Sequence, residues 1–210
     1  MKPERQSGRP RTFDRTRALQ RATDLFWARG YEGVSVTELQ QAMGGISAPS
    51  FYAAFGSKEA LFKEAVELNM ATTGSAPAAA LARPATARAS IEALLRASIA
   101  MCSQPGKPSG CMVVLGAINC ARPNRRVQKH LHALRQLRPE VLRQRLQRGL
   151  AEGDLPAGLE IEPMVSFYTT ILSGLALQAR DGVSREDLLA AADLAMAAWD
   201  QFVARKQAKE

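Results

Sequence analysis

The side chains best placed for chemistry between residues 35 and 58 are hydroxyls, one phenol and one ammonium: Ser35, Thr37, Ser47, Ser50, Tyr52 and Lys58. This is not a hydrolytic set: no imidazole or thiol lies in the stretch, and its one carboxylate, Glu38, is placed at a helix start. Their spacing fits hydrogen bonding from helix starts. Ser35 can accept from the first backbone N–H groups of a helix while Glu38, three residues on, reaches back, and Val34 and Leu39 can close over the cap. The pattern recurs a dozen residues later with Ser47 as cap and Ile46 and Phe51 as the apolar pair, and Gly44 and Gly45 supply a permissive corner between the two. Two short capped helices about a sharp turn form a helix-turn-helix, whose second member can enter a DNA major groove. In its first turn Ser47, Ala48 and Ser50 are small enough for close approach to base edges or phosphates. Ser35 and Thr37 at the start of the preceding helix can donate to phosphate, and Arg9 and Arg11 can follow the backbone or enter the minor groove. Capping alone is the competing role for Ser47 and Ser50, a solubilising tail that for the two arginines.

Other reactive residues form no constellation. Cys102, Cys111 and Cys120 recur at intervals of nine, about half a turn out of phase on one helix, so they build no metal cluster. They read first as buried small residues, with Cys111, at a loop-to-helix junction, as the candidate thiol sensor. His130 and His132 point apart on a helix and read as surface residues. Paired carboxylates at a meaningful spacing, a nucleophile elbow, a phosphate loop and a metal-ligand set are all missing from the sequence, so neither an enzyme nor a cofactor is expected.

The elements that must hold these residues are helices throughout. Of 210 residues, 46% are apolar and 23% charged, and sustained two-residue alternation is absent, which gives an all-α fold. Residues 1–12 lack an apolar period and read as a mobile basic arm. Residues 13–70 read as a four-helix DNA-binding head, with Ala18, Ala22 and Phe26 on one helix row and Ser57 capping the fourth helix. The Ala, Thr, Gly and Pro content of residues 71–87 predicts a break, and 71–210 a second, larger helical body. Helices are expected over about 86–101, 124–152 (bent at Pro139), 160–180 and 184–206. The last two are broadly apolar, as helices with partners on more than one side are.

Net charge is +8, which favours a polyanionic partner. Nine basic residues and one acidic fall between Arg122 and Arg148. They recur on several helix faces, which suits a solvated exterior, extra attraction for DNA, or an anionic effector. No run approaches the ~20 apolar residues of a membrane helix, no secretory signal is evident, and a cytoplasmic protein with reduced thiols is expected.

Phe26, Gly30, Tyr31, Ser35, Val36, Ser47, Ser50, Phe51, Tyr52, Phe55, Ser57, Lys58, Glu59 and Leu61 together resemble the head of the TetR/AcrR family of transcriptional repressors. The resemblance is strong over residues 13–67 and extends to the tail only in layout. The paired Gly44 and Gly45 make the turn one residue longer than the commonest family pattern. What the resemblance implies is a repressor that acts as a homodimer through its last two helices. It would bind double-stranded DNA at a pseudo-palindromic operator and be released by a small-molecule effector in the C-terminal body. It further implies that Tyr52 touches phosphate or base and that Lys58 neutralises a phosphate; a place in the head's core is the other reading of Tyr52. A helical small-molecule carrier or thiol-based stress sensor without a DNA target is the alternative.

Overall fold

The computed structural model describes residues 13–83 and 85–207, with side chains through residue 204, and every regular element among them is helical. Arg9, Arg11 and the basic arm lie outside the described residues. Helix α1 (Arg15–Arg29) begins at Asp14, whose carboxylate accepts from Arg17 N. Helices α2 (Val36–Ala42), α3 (Ala48–Phe55) and α4 (Lys58–Ala71) start on the three serines expected, Ser35, Ser47 and Ser57, each accepting from the backbone N–H three residues on. The turn between α2 and α3 needs its glycines: Gly44 and Gly45 lie at φ +99° and +79°, where a Cβ would clash with the backbone.

The stretch expected to break carries instead a short helix, α5 (Ser75–Ala82). Pro77 falls in its first turn, where the missing N–H costs nothing, and the alanines around it are the best helix formers. The chain continues through α6 (Ala87–Cys102), a four-residue helix α7 (Met112–Leu115), a 3-10 turn at Arg122–Asn124, and the long α8 (Arg125–Ala151), which runs through Pro139. Helices α9 (Glu162–Arg180) and α10 (Arg185–Gln207) close the body. Thr86 caps α6 through Ala89 N, and the Asp154 carboxylate accepts from Ala87 N, tying the turn after α8 to the start of α6.

Two cores result. In the body, α6, α8, α9 and α10 bury Ile91, Leu95, Leu146, Tyr168, Leu172 and Trp199, and Tyr168 Oη donates to Ala195 O at 3.1 Å. In the head, Phe62 on α4 meets Phe26 edge-on at 5.0 Å and Tyr31 at 5.2 Å. The head core does not end with the head. Met112, Ala117, Val127 and Leu131, all from beyond residue 71, belong to the same buried cluster as Phe26, Phe51 and Leu61.

Polar bonds seal the seam. Trp27 Nε1 donates to Gly110 O at 3.0 Å, and the Arg180 guanidinium donates to Ser109 O, Ala28 O and Trp27 O. Tyr31 N donates to Gly116 O at 2.8 Å, and Glu32 accepts from Ala121 N and Asn124 Nδ2. A guanidinium on the last carbonyls of α1 also complements the negative end of that helix.

Candidate nucleic-acid interface

Helix α3 divides cleanly into two faces. Phe51 and Phe55 are buried and hold it to the head core, while Ser47, Ala48, Ser50 and Tyr52 all face solvent. Tyr52 is 51% exposed, its ring edge-on to Phe51 at 5.3 Å, so it lies outside the core. The Ser47 and Ser50 hydroxyls share a hydrogen bond of 2.9 Å, and Ser47 Oγ also accepts from Ser50 N at 3.3 Å. Capping and outward presentation therefore coexist. The first turn of α3 offers small side chains and two hydroxyls, groups that bind phosphate oxygens and base edges; Pro49 has no N–H and Ser50 N is taken by the cap.

Three arginines of α1, Arg15, Arg21 and Arg29, fix this face. Arg15 makes two hydrogen bonds to the Glu64 carboxylate at 2.7 and 2.9 Å, donates to Ala54 O, and stacks over the Phe55 ring. Arg21 donates to Ala42 O at the end of α2, and Arg29 pairs with Glu38 at 2.7 Å. Their charge is partly spent inside the head, and the corner between α2 and α3 is held from behind.

Ser35 is committed to its capping box: its N and Oγ both donate to Glu38 Oε2 at 2.7 Å, and its Oγ accepts from Glu38 N. These bonds, with Arg29, hold the Glu38 carboxyl down from 4.5 to about 2. A carboxylate depressed in the folded state stabilises fully above its unfolded pKa and loses that contribution as pH falls through the folded value. Acid titration of the melting temperature should accordingly show Glu38 holding the head between pH 4.5 and 2. The Glu38→Gln variant should melt lower than the parent at pH 7, the gap closing by pH 2; a constant gap would contradict the assignment. Thr37 is exposed beside this box.

Lys58 is half-buried, its ammonium 4.2 Å from the Tyr31 ring centroid. Burial lowers its pKa, and the Glu32 carboxylate opposes that shift. It sits where α4 leaves α3, with its charge already partnered by a ring face.

The basic 122–148 stretch separates by partner. Arg122, Arg125, Arg126 and Lys129 are exposed, Arg143 pairs with Glu140 and Glu162, and Arg148 pairs with Glu152. Arg145 is buried on Ser90 Oγ and Ala85 O. Arg138 lines a cavity. That cavity, of about 210 Å³, lies in the body between α4, α5, α6, α7 and α8. Leu94, Leu134, Leu137 and Val141 give it an apolar wall, broken by Asn69, Ser98 and Arg138.

The Cys111 thiol is buried against this cavity, and the α7 helix it precedes has only four residues, too short to act through its dipole. Burial pushes the Cys102 thiol up to about 12. Cys120 is half-buried, and desolvation and the neighbouring Glu32 carboxylate raise it too. Among the described residues no group of His, Cys, Asp or Glu could hold a metal ion, and no helix is long and apolar enough to cross a membrane. Sequence reasoning singled out α3 from its caps; it did not foresee Asn69 and Ser98 in the cavity wall.

Comparison with known proteins agrees with this architecture. Residues 18–65 match the family model of bacterial regulatory proteins of the tetR family, and residues 87–195 match a tetracyclin repressor-like C-terminal domain. Two curated Escherichia coli K12 proteins are similar over nearly their whole length. The HTH-type transcriptional repressor ComR is 29% identical, covering 93% of this chain and 93% of its own. The HTH-type transcriptional repressor BdcR is 33% identical, covering 92% and 93%. Among solved structures, the TetR family regulator CifR, a cysteine mutant complexed with 26-base-pair operator DNA, is 44% identical with a TM-score of 0.86, covering 91% of this chain and 100% of that one. A putative TetR regulator from Rhodococcus sp. RHA1 is 36% identical with a TM-score of 0.58, covering 86% and 96%. Matched at head and body alike, and built around an outward-facing helix-turn-helix, the chain belongs to the tetR family of bacterial regulatory proteins and is a DNA-binding transcriptional regulator.

Proposed function

We propose that the protein is a repressor that binds a pseudo-palindromic operator as a homodimer and leaves it when a small molecule fills the body cavity. The observation that carries this reading is the first turn of α3, exposed at Ser47, Ala48, Ser50 and Tyr52 while Phe51 and Phe55 anchor the opposite face. Ser35, Thr37 and Lys58, with Arg9 and Arg11 of the arm, complete the set of DNA contacts. Helices α9 and α10 form the dimer face: Leu177 is 46% exposed and Leu194 75%, apolar surface that a second copy covers. Two α3 helices would then stand about 34–36 Å apart, one turn of DNA. The cavity touches α4 through Asn69 and Met70, and α4 begins beneath α3, so a ligand that prefers a different α4 position shifts the dimer away from the operator spacing. The likeness to CifR on its operator supports the DNA partner, and ComR and BdcR, both repressors, support the sign of regulation. No catalytic step and no cofactor belongs to this reading, and the protein works in the cytoplasm, where its DNA is.

Fluorescence anisotropy with the region upstream of the protein's own gene tests it. Specific binding should exceed binding to unrelated duplex and fall steeply with salt; equal weak binding to both would leave charge alone and sink the proposal. Tyr52→Ala should weaken operator binding by about tenfold to a hundredfold, the loss expected for one good groove or phosphate contact. Its melting temperature should stay within a degree or two of the parent, because the ring is already half in water.

A further inference from the structure

The cavity in the body is apolar except at three points, and all three lack a partner. Asn69 is 6% exposed and Ser98 9%, yet neither side chain makes a hydrogen bond to any described residue. Neither group is sealed off, so its hydrogen-bonding atoms are open to whatever fills the cavity. Arg138, the single charged residue of the lining, makes no ion pair or hydrogen bond with any described residue. Its neighbour on α8, Glu140, is held by Arg143 and Gln144. The Cys102 thiol close by is pushed up to about 12, so it stays neutral and supplies no counter-charge at neutral pH.

These groups come from three helices, α4, α6 and α8. The guanidinium, the amide N–H2 and the hydroxyl are all donors, and no acidic residue lines the cavity. Around them, Met70 and Met101 join the leucines and valines, adaptable side chains that accept tails of varied shape. At about 210 Å³ the space is smaller than the roughly 300–1,000 Å³ of a drug-sized pocket. One fixed positive charge matches one negative charge.

We infer that the effector is a compact apolar monocarboxylate, its carboxylate held by Arg138, Asn69 and Ser98 and its tail lying among Leu94, Leu137 and Val141. This rests on the reading of the cavity as the effector site and gives that site a ligand class.

Isothermal titration of the full-length protein at pH 7.5 with octanoate, octan-1-ol and octylamine, paired with operator release followed by anisotropy, tests it. Octanoate should bind about tenfold to a hundredfold more tightly than octan-1-ol, the advantage of charge-assisted hydrogen bonds over neutral ones, and octylamine should bind most weakly. Arg138→Gln should bring the octanoate-to-octanol ratio near one, and Arg138→Lys, which keeps the charge, should restore part of it. Octan-1-ol binding as tightly as octanoate, or a preference for octanoate that survives in Arg138→Gln, would overturn the monocarboxylate while leaving the effector site in place. Arg138-dependent octanoate binding that leaves the operator complex intact would support the ligand class and defeat release by that ligand. Binding by none of the three would overturn the inference, and operator binding measured in the same samples would show whether the DNA-binding reading survives.

Discussion

Phe62→Ala should lower the free energy of unfolding by about 3–5 kcal/mol, as read by urea denaturation. Phe62 is fully buried, edge-on to Phe26 at 5.0 Å and to Tyr31 at 5.2 Å. Removing its ring leaves two aromatic edges facing a void that neither backbone can collapse to fill, because α1 and α4 are also fixed by Arg15 on Glu64. A domain of this kind holds about 5–15 kcal/mol in all, so operator binding should fail at the temperature where the parent still binds. Trp27 lies on the seam, 2% exposed, and its fluorescence should shift to the red in the same transition. A cost below about 1 kcal/mol would mean that the ring trio is not the centre of the head.

Gly110→Ala should cost about 2–5 kcal/mol, combining left-handed backbone strain with overpacking. The glycine lies at φ +82°, and a Cβ there would stand 2.8 Å from Leu115 Cδ1, 2.9 Å from Ala176 O and 3.3 Å from Arg180 Cβ. The Leu115 methyl can swing away; the Ala176 carbonyl, part of α9, cannot. Any retreat of residue 110 also lengthens the bond that its carbonyl accepts from Trp27 Nε1. Gly106 is the internal control. It shares the left-handed backbone, φ +74°, but nothing lies within 4 Å of its Cβ position, so Gly106→Ala should cost only about 1–2 kcal/mol. Thermal melts of the two variants side by side separate strain from collision, and equal losses would remove the steric part of the argument.

The helix starts were legible because a cap is a local contract: Ser35 with Glu38, Ser47 with Ser50 N, and Ser57 with Ala60 N each span three residues. The exposed face of α3 followed from the same signal, since Phe51 and Phe55 recur four apart and leave the rest outward. Helix α5 escaped because proline and glycine were weighed as breakers without asking which turn Pro77 occupies. Pro139, by contrast, was read inside one long helix and lies inside α8, where packing of Leu131, Leu142 and Leu146 on either side outweighs one lost backbone bond. The cavity lining could not be read at all. Asn69, Ser98 and Arg138 are separated by 29 and 40 residues, and only the crossing of α4, α6 and α8 brings them to one space. The arginines of α1 were visible as charge and not as braces, because Arg15 and Arg21 reach backbone atoms, Ala54 O and Ala42 O, that no side-chain pattern announces, and the carboxylates of Glu64 and Glu38 meet Arg15 and Arg29 only through the packing of the helices.

The burial of Met112, Ala117, Val127 and Leu131 among the aromatic rings of the first four helices has a practical corollary for engineering. A cassette cut after residue 70 and grafted onto a foreign scaffold would arrive with an open hydrophobic wound, so this reader is not portable in the way its sequence boundary suggests. In a calorimeter the subunit should therefore melt as one cooperative block, and any chimera must carry the 112–131 strip along with its operator specificity.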